Sequence, residues 1–90
     1  MNAEERELFR KSLLLALDRT GAPQGLNATG IAMRMAALGF PAARAEDVQM
    51  ELAYLLDKGL VAKPEKTISP EVALWRITAP GRDFLAEQGF

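Results

Sequence analysis

Residues 45–61 read A-E-D-V-Q-M-E-L-A-Y-L-L-D-K-G-L-V, and this stretch decides the fold. Its apolar residues recur at the three- and four-residue spacing that gives a helix one apolar face. The residues on that face are Val48, Leu52, Leu55 and Leu56. Gly59 is typical of a helix end, because glycine readily adopts the left-handed conformation that follows a last turn. We therefore predict a helix over about residues 45–58 and a strand over about residues 60–63.

A second strand is predicted for residues 72–78, V-A-L-W-R-I-T, which follow a run of turn residues at 66–70. The β-branched and aromatic side chains of this stretch favour a strand. Strand alternation separates Ala73, Trp75 and Ile77 from Val72, Leu74, Arg76 and Thr78. The two strands form a hairpin, and we expect Trp75 to be the large core residue that anchors it.

Three further helices are predicted from capping residues and apolar spacing. The first covers about residues 3–20, because Asn2 is followed three residues later by a glutamate, as in a capping box. The second follows a cap at Asn27 or Thr29, and the last follows a cap at Thr78. The side chains expected to face the core are Phe9, Ile31, Met35, Leu38, Phe84 and Leu85.

The predicted order is helix, short optional strand at residues 24–26, helix, helix, two strands, helix. This is an α+β, mostly helical chain, and residues 1–90 suit one domain because a chain of this length buries one modest core. The order is that of a winged helix-turn-helix, in which the hairpin covers the open side of the helices. A plain α+β domain with another packing is the alternative.

Two segments resemble winged-helix proteins of the MarR, ArsR and PadR types. Residues 52–61, L-A-Y-L-L-D-K-G-L-V, are similar to the end of their recognition helix and their first wing strand. Residues 77–85, I-T-A-P-G-R-D-F-L, resemble the second wing strand and the start of the following helix. The joint pattern covers about residues 27–85. The whole layout also resembles small winged-helix proteins of Mu-like phages and prophages.

The resemblance implies a DNA-binding protein, a transcriptional regulator, that forms a homodimer through its terminal helices. In such proteins the third helix enters the major groove of double-stranded DNA and the wing touches the backbone. The matching positions are Arg44, Gln49, Lys63, Lys66 and Arg76, and Arg34 is a further candidate for a phosphate contact. We expect Phe9 and Phe84 to pair the first helix with the last, in the core or in a dimer seam.

The charge of the third helix disagrees with groove binding. The chain carries a net charge of −1, but residues 45–59 hold four carboxylates against one lysine, a net charge of −3. With the apolar face inward, the outward residues are Glu46, Met50, Ala53, Tyr54 and Asp57. An apolar middle with an acidic rim suits a protein partner, because interface cores favour methionine and aromatic residues and lack charge.

Three interpretations of this face stay open at this point. It is a protein–protein interaction module that uses Met50, Ala53 and Tyr54, or Met50 and Tyr54 pack under the hairpin or the last helix as core. A phage inhibitor that mimics DNA is a weaker third interpretation, because the acids are few.

The residue types exclude several functions. The chain has no cysteine and no histidine, which removes disulfides, thiol catalysis and the commonest metal ligand and general base. No glycine-rich phosphate loop occurs, and three neighbouring carboxylates on the third helix are more typical of a solvated face than of a cation site. We predict no enzymatic activity, no cofactor and no metal. Without a secretory signal or an apolar run of about 20 residues, we expect a cytoplasmic protein with no membrane contact.

Overall fold

The computed structural model describes residues 1–19, 25–63 and 73–90. Within these ranges the chain forms four helices and a two-stranded antiparallel sheet, so it is a small α+β, mostly helical fold. The elements are α1 (Ala3–Asp18), α2 (Ala28–Ala37), α3 (Ala45–Asp57), β1 (Val61–Ala62), β2 (Arg76–Ile77) and α4 (Ala79–Glu87). No helix in the described ranges is both long and apolar enough to cross a bilayer.

Three helices begin at polar caps that the sequence predicts. The side-chain oxygens of Asn2, Asn27 and Thr78 each accept a hydrogen bond from the backbone N–H three residues later, at 2.8, 2.8 and 3.1 Å. These bonds satisfy N–H groups that have no partner within the helix. The cap of α2 is therefore Asn27, and Thr29 lies inside the helix. The described part of α1 ends at Asp18, and the predicted end at Thr20 lies outside the described residues.

The sheet is shorter than predicted and has a third, minimal participant. Val61 lies opposite Ile77 and Ala62 opposite Arg76. The Trp75 N–H donates to the Leu26 carbonyl at 2.7 Å, and the Leu26 N–H donates to the Trp75 carbonyl at 2.9 Å. The strand predicted at residues 24–26 is therefore a single β-bridge. The predicted hairpin loop with Lys66, and Val72 at the start of the predicted second strand, lie outside the described residues.

The alternation predicted for the second strand is confirmed. Ala73, Trp75 and Ile77 are buried, while the intervening residues are half-buried or exposed. Trp75 is 7% exposed, as expected of a core anchor. The largest fully buried side chains elsewhere are Phe9, Leu13, Leu14, Ile31, Met35, Leu52, Leu55, Val48 and Val61.

The structure refines four predicted core positions. Phe9 is buried, and its ring packs edge-on against Phe40, with centroids 5.1 Å apart. The first and last helices contact each other, and half-buried Phe84 packs against the core and lines a groove beside Arg10. Leu38 and Leu56 are each 37% exposed and lie at the edge of their apolar faces.

The end of α3 is tied directly to α4. The Thr78 hydroxyl donates to the Gly59 carbonyl at 2.7 Å, and the Thr78 N–H donates to the Leu60 carbonyl at 3.1 Å. Gly81 allows this approach, because a Cβ at its position would lie 2.3 Å from the Leu60 carbonyl oxygen. The hairpin and α4 therefore close over the chain where it leaves α3.

The substitution Gly81→Ala distinguishes the effect of this packing contact on stability from the effect of helix propensity, because the two effects have opposite signs. Alanine is the better helix former by about 1 kcal/mol, yet we expect the variant to lower the free energy of unfolding by about 1–3 kcal/mol, because the methyl group overpacks the contact with Leu60. Urea denaturation measures the change. Asp83→Ala, at an exposed position of the same helix, should stay within about 0.5 kcal/mol. A Gly81→Ala protein as stable as the wild type would contradict the contact.

Candidate functional site

The buried residues of α3 determine which of its side chains reach solvent. Val48, Leu52 and Leu55 are at most 2% exposed, and they fix the rotation of the helix about its axis. The opposite side, which we call the outer face, consists of Glu46, Met50, Ala53, Tyr54 and Asp57, and all five are exposed. The division between the two sides agrees with the sequence pattern.

Met50 and Tyr54 are not core residues. The Met50 side chain is 74% exposed and Tyr54 is 39% exposed. The interpretation that they pack under the hairpin or the last helix is therefore wrong. Its physical reason lies in the described contacts: the start of α4 meets the chain beyond the end of α3, where Thr78 bonds to Gly59 and Leu60, and Met50 in the middle of the helix stays open to solvent.

Four residues of the outer face form one line along the helix. Glu46, Met50, Ala53 and Asp57 follow one another at spacings of four, three and four residues, which places them on the same side. The two carboxylates lie at the ends of the line, about 16 Å apart at 1.5 Å per residue. Neither forms an ion pair with a described residue. The line is thus apolar in the middle and negatively charged at both ends.

The other two carboxylates of α3 have internal partners. Glu51 is 9% exposed, and its Oε2 accepts a hydrogen bond from the Arg10 Nε at 2.5 Å, while its Oε1 lies 3.8 Å from the Arg6 Nε. Asp47 accepts a hydrogen bond from the Arg44 backbone N–H at 3.0 Å, at the start of the helix. The acidic cluster therefore divides into two structural carboxylates and two that are available at the surface.

Arg10 joins α1 to α3 through two kinds of contact. Its guanidinium carbon lies 3.7 Å from the centroid of the Tyr54 ring, and the Lys58 ammonium lies 5.7 Å from the same ring. Burial lowers the pKa of the Arg10 guanidinium, but the hydrogen bond and charge of Glu51 outweigh that effect and raise the pKa above its ordinary value. Arg10 is therefore charged throughout the physiological range and holds the Tyr54 ring at the edge of the outer face.

The ion pair is the feature that the sequence interpretation missed. Glu51 lies three residues after Val48 and four before Leu55, which puts it beside the buried side of α3. Arg6 and Arg10 are four residues apart on α1. An acid beside an apolar stripe and two bases on a neighbouring helix are the sequence signal for such a pair.

The described candidate DNA-binding residues lie on different elements. Arg44 precedes α3 and is exposed, whereas exposed Lys63 and Arg76 lie in the strand region that follows the C-terminal end of α3 along the chain. Arg76 lies in β2 and Lys63 directly follows β1, and the Lys63 ammonium lies 5.4 Å from the Trp75 ring.

The remaining candidates are dispersed. Gln49 is half-buried on α3, Arg34 is exposed in the last turn of α2, and Lys66 lies outside the described residues. Because the exposed bases occupy both ends of α3 while its outer face holds the unpaired acids, the helix itself presents no positive surface.

Two glutamate-to-glutamine substitutions in α3 test whether one carboxylate stabilises the fold while the other is free at the surface. We expect Glu51→Gln to lower the free energy of unfolding by about 1–3 kcal/mol, because Arg10 loses its charged partner in a partly buried site. Glu46→Gln, the matched control, should change it by no more than about 0.5 kcal/mol. Urea denaturation of the two variants measures the difference. Equal stabilities would show that the ion pair does not hold α3.

Comparisons of the chain with protein-family models, with curated proteins and with solved structures found no match. The outer face has a chemistry of its own that bears on its role. That chemistry consists of an apolar, uncharged middle, two carboxylates without a described partner, and an aromatic ring held in place by Arg10.

Proposed function

We propose that this chain is a winged helix-turn-helix domain that docks on a protein partner through the outer face of α3. The order of the described elements supports the winged-helix assignment, because a third helix leads directly into an antiparallel strand pair and a final helix. The bridge between Leu26 and Trp75 supports it further, since it occurs where the optional short strand is expected.

The exposure of Met50 carries the proposal of a protein partner. A methionine that is 74% exposed lies one turn before small Ala53 and aromatic Tyr54, and the charged residues are at the ends of the line. Protein interfaces have this anatomy, with methionine and aromatic residues in the centre and a polar rim. A duplex would instead bring phosphates against Glu46 and Asp57, which repel them and contribute nothing to counterion release.

DNA binding and transcriptional regulation form the second candidate function, and the exposed bases of the hairpin favour it. Lys63, directly after β1, and Arg76, in β2, are both open to solvent, as expected for a wing that touches the DNA backbone. Arg44 at the start of α3 would supply the groove contact in this candidate. The acids of the outer face are the argument against it.

Several features expected from the sequence stay predictions. They are the homodimer through the terminal helices, the cytoplasmic location, the phage or prophage origin and the absence of enzymatic activity. Exposed apolar residues on the terminal segments suit the dimer, because Leu8 on α1 and Phe90 beyond α4 are 51% and 45% exposed. The ion pair between the Arg82 Nε and the Asp18 Oδ1, 3.2 Å long, joins these two helices within one chain.

A displayed library of helical peptides tests the docking proposal. We expect peptides selected on the wild-type protein to bind Met50→Ser about tenfold or more weakly, because a buried methionine contributes about 1.5–3 kcal/mol. Met33→Ser is the matched control, since Met33 lies on α2 and is equally open at 72% exposure, and it should bind the same peptides as well as the wild type. If the two variants cannot be distinguished, the outer face is not the docking site.

A salt titration with a mixed pool of DNA duplexes tests the second candidate. The docking proposal predicts no binding at about 50 mM salt, where a protein with several phosphate contacts would bind well and then lose affinity steeply by about 200 mM. Fluorescence anisotropy measures both conditions. Steep, salt-sensitive binding that Lys63→Glu and Arg76→Glu abolish would favour the DNA-binding function and overturn the docking proposal.

A further inference from the structure

We infer that the partner segment docked on α3 is an amphipathic helix with two cationic side chains about eleven residues apart and an apolar stripe between them. This inference rests on the proposed function and specifies its partner. It follows from the spacing of Glu46 and Asp57, from the apolar residues between them and from the position of Asp57 at the end of α3.

The spacing of the two acids sets the spacing of the partner's cations. Glu46 and Asp57 terminate a straight line of about 16 Å on one side of α3, and neither has an ion-pair partner among the described residues. A second helix rises by the same 1.5 Å per residue, so lysine or arginine residues about eleven positions apart would meet both carboxylates. The charge complement therefore fixes the register of the partner.

The position of Asp57 favours a cation supplied by a partner. It lies in the last turn of α3, where the backbone carbonyls carry partial negative charge and disfavour a carboxylate. That turn contains no basic residue, and Lys58 directs its ammonium toward the Tyr54 ring. The Asp57 carboxylate therefore destabilises its own helix, and a cation of a bound partner would offset this unfavourable charge.

The middle of the line favours a helix over an extended segment. Ala53 is small and exposed between Met50 and Tyr54, so a neighbouring helix can approach to the usual 8–10 Å between axes. At the shallow crossing angle of about 20° the two helices stay together over the whole line. An extended peptide gains most of its affinity by pairing with a sheet edge, which α3 does not offer.

Because both ends of the line are acidic, the charges select the register of the partner helix and not its direction. A shift of the partner by one turn, about 5.4 Å, would move both cations away from their carboxylates. The inference therefore predicts a pattern in the bound sequences, with paired basic positions, rather than a single sequence.

In the experiment, binders are selected from a displayed library of cross-linked helical peptides against three forms of the protein. All solvent-exposed positions of the peptides are randomised. The three forms are the wild type, the double variant Glu46→Gln with Asp57→Asn, and the control Asp83→Asn with Glu87→Gln, which removes two exposed acids from α4. Each enriched peptide is also tested against Met50→Ser. Urea denaturation checks that all forms are folded.

We expect lysine or arginine to be enriched at two positions about eleven residues apart in peptides selected on the wild type and on the control. The pairing should be lost on the double variant, and the wild-type peptides should bind it about fivefold or more weakly, as expected for two exposed ion pairs. Asp57→Asn alone should raise the urea midpoint, because a charge that opposes the helix dipole is removed.

Each other result contradicts the inference in a recognisable way. Peptides that depend on Met50 but carry no paired basic residues would overturn the inference and leave the proposed function intact. The absence of any Met50-dependent peptide would overturn both. Duplex DNA that binds the double variant more tightly than the wild type would assign α3 to nucleic acid and would also overturn both.

Discussion

The rotation of α3 about its own axis is the constraint on which the rest of the structure depends. Val48, Leu52 and Leu55 are buried, and the pair between Glu51 and Arg10 holds the flank of the helix against α1. Successive residues of a helix point about 100° apart, so a shift of one residue would bury Met50 or expose Glu51. The fixed rotation makes Glu51 a structural carboxylate and leaves Glu46 and Asp57 at the surface.

This division changes how the charge of the helix relates to its function. A net charge of −3 over residues 45–59 suggests a uniformly acidic surface, but Glu51 and Asp47 have partners inside the fold. What α3 presents to another molecule is an apolar line with one carboxylate at each end. Such a line discriminates by shape and by the position of charge, whereas a uniformly acidic face would attract any polycation.

The sequence predicts the local features of this fold well. The caps at Asn2, Asn27 and Thr78, the two sides of α3 and the alternation around Trp75 all depend on neighbours within about four residues. The sequence fails where contacts join distant segments. The ring contact of Phe9 with Phe40 and the pairing of Arg10 with Glu51 depend on how α1 crosses the other helices, which periodicity does not determine.

The candidate site likewise combines local features with contacts between distant segments. Its outward residues follow from the helical period, but their exposure depends on where the hairpin and α4 close over the chain. Trp75 pairs with Leu26 on the edge of its strand that faces away from β1, and a pattern of alternating side chains does not reveal which segment a strand edge will pair with. The unpaired acids likewise become visible once the partners of Glu51 and Asp47 are known.

The most direct measurement of the central claim is the rate at which each methionine of the native protein is oxidised by dilute hydrogen peroxide, resolved by peptide mass spectrometry. Exposed thioethers are oxidised readily, and buried ones are protected until the chain opens. Met50 on α3 should react as fast as Met33 on α2, while fully buried Met35 should resist. A Met50 that reacts as slowly as Met35 would contradict the rotation of α3 and the outer face that depends on it.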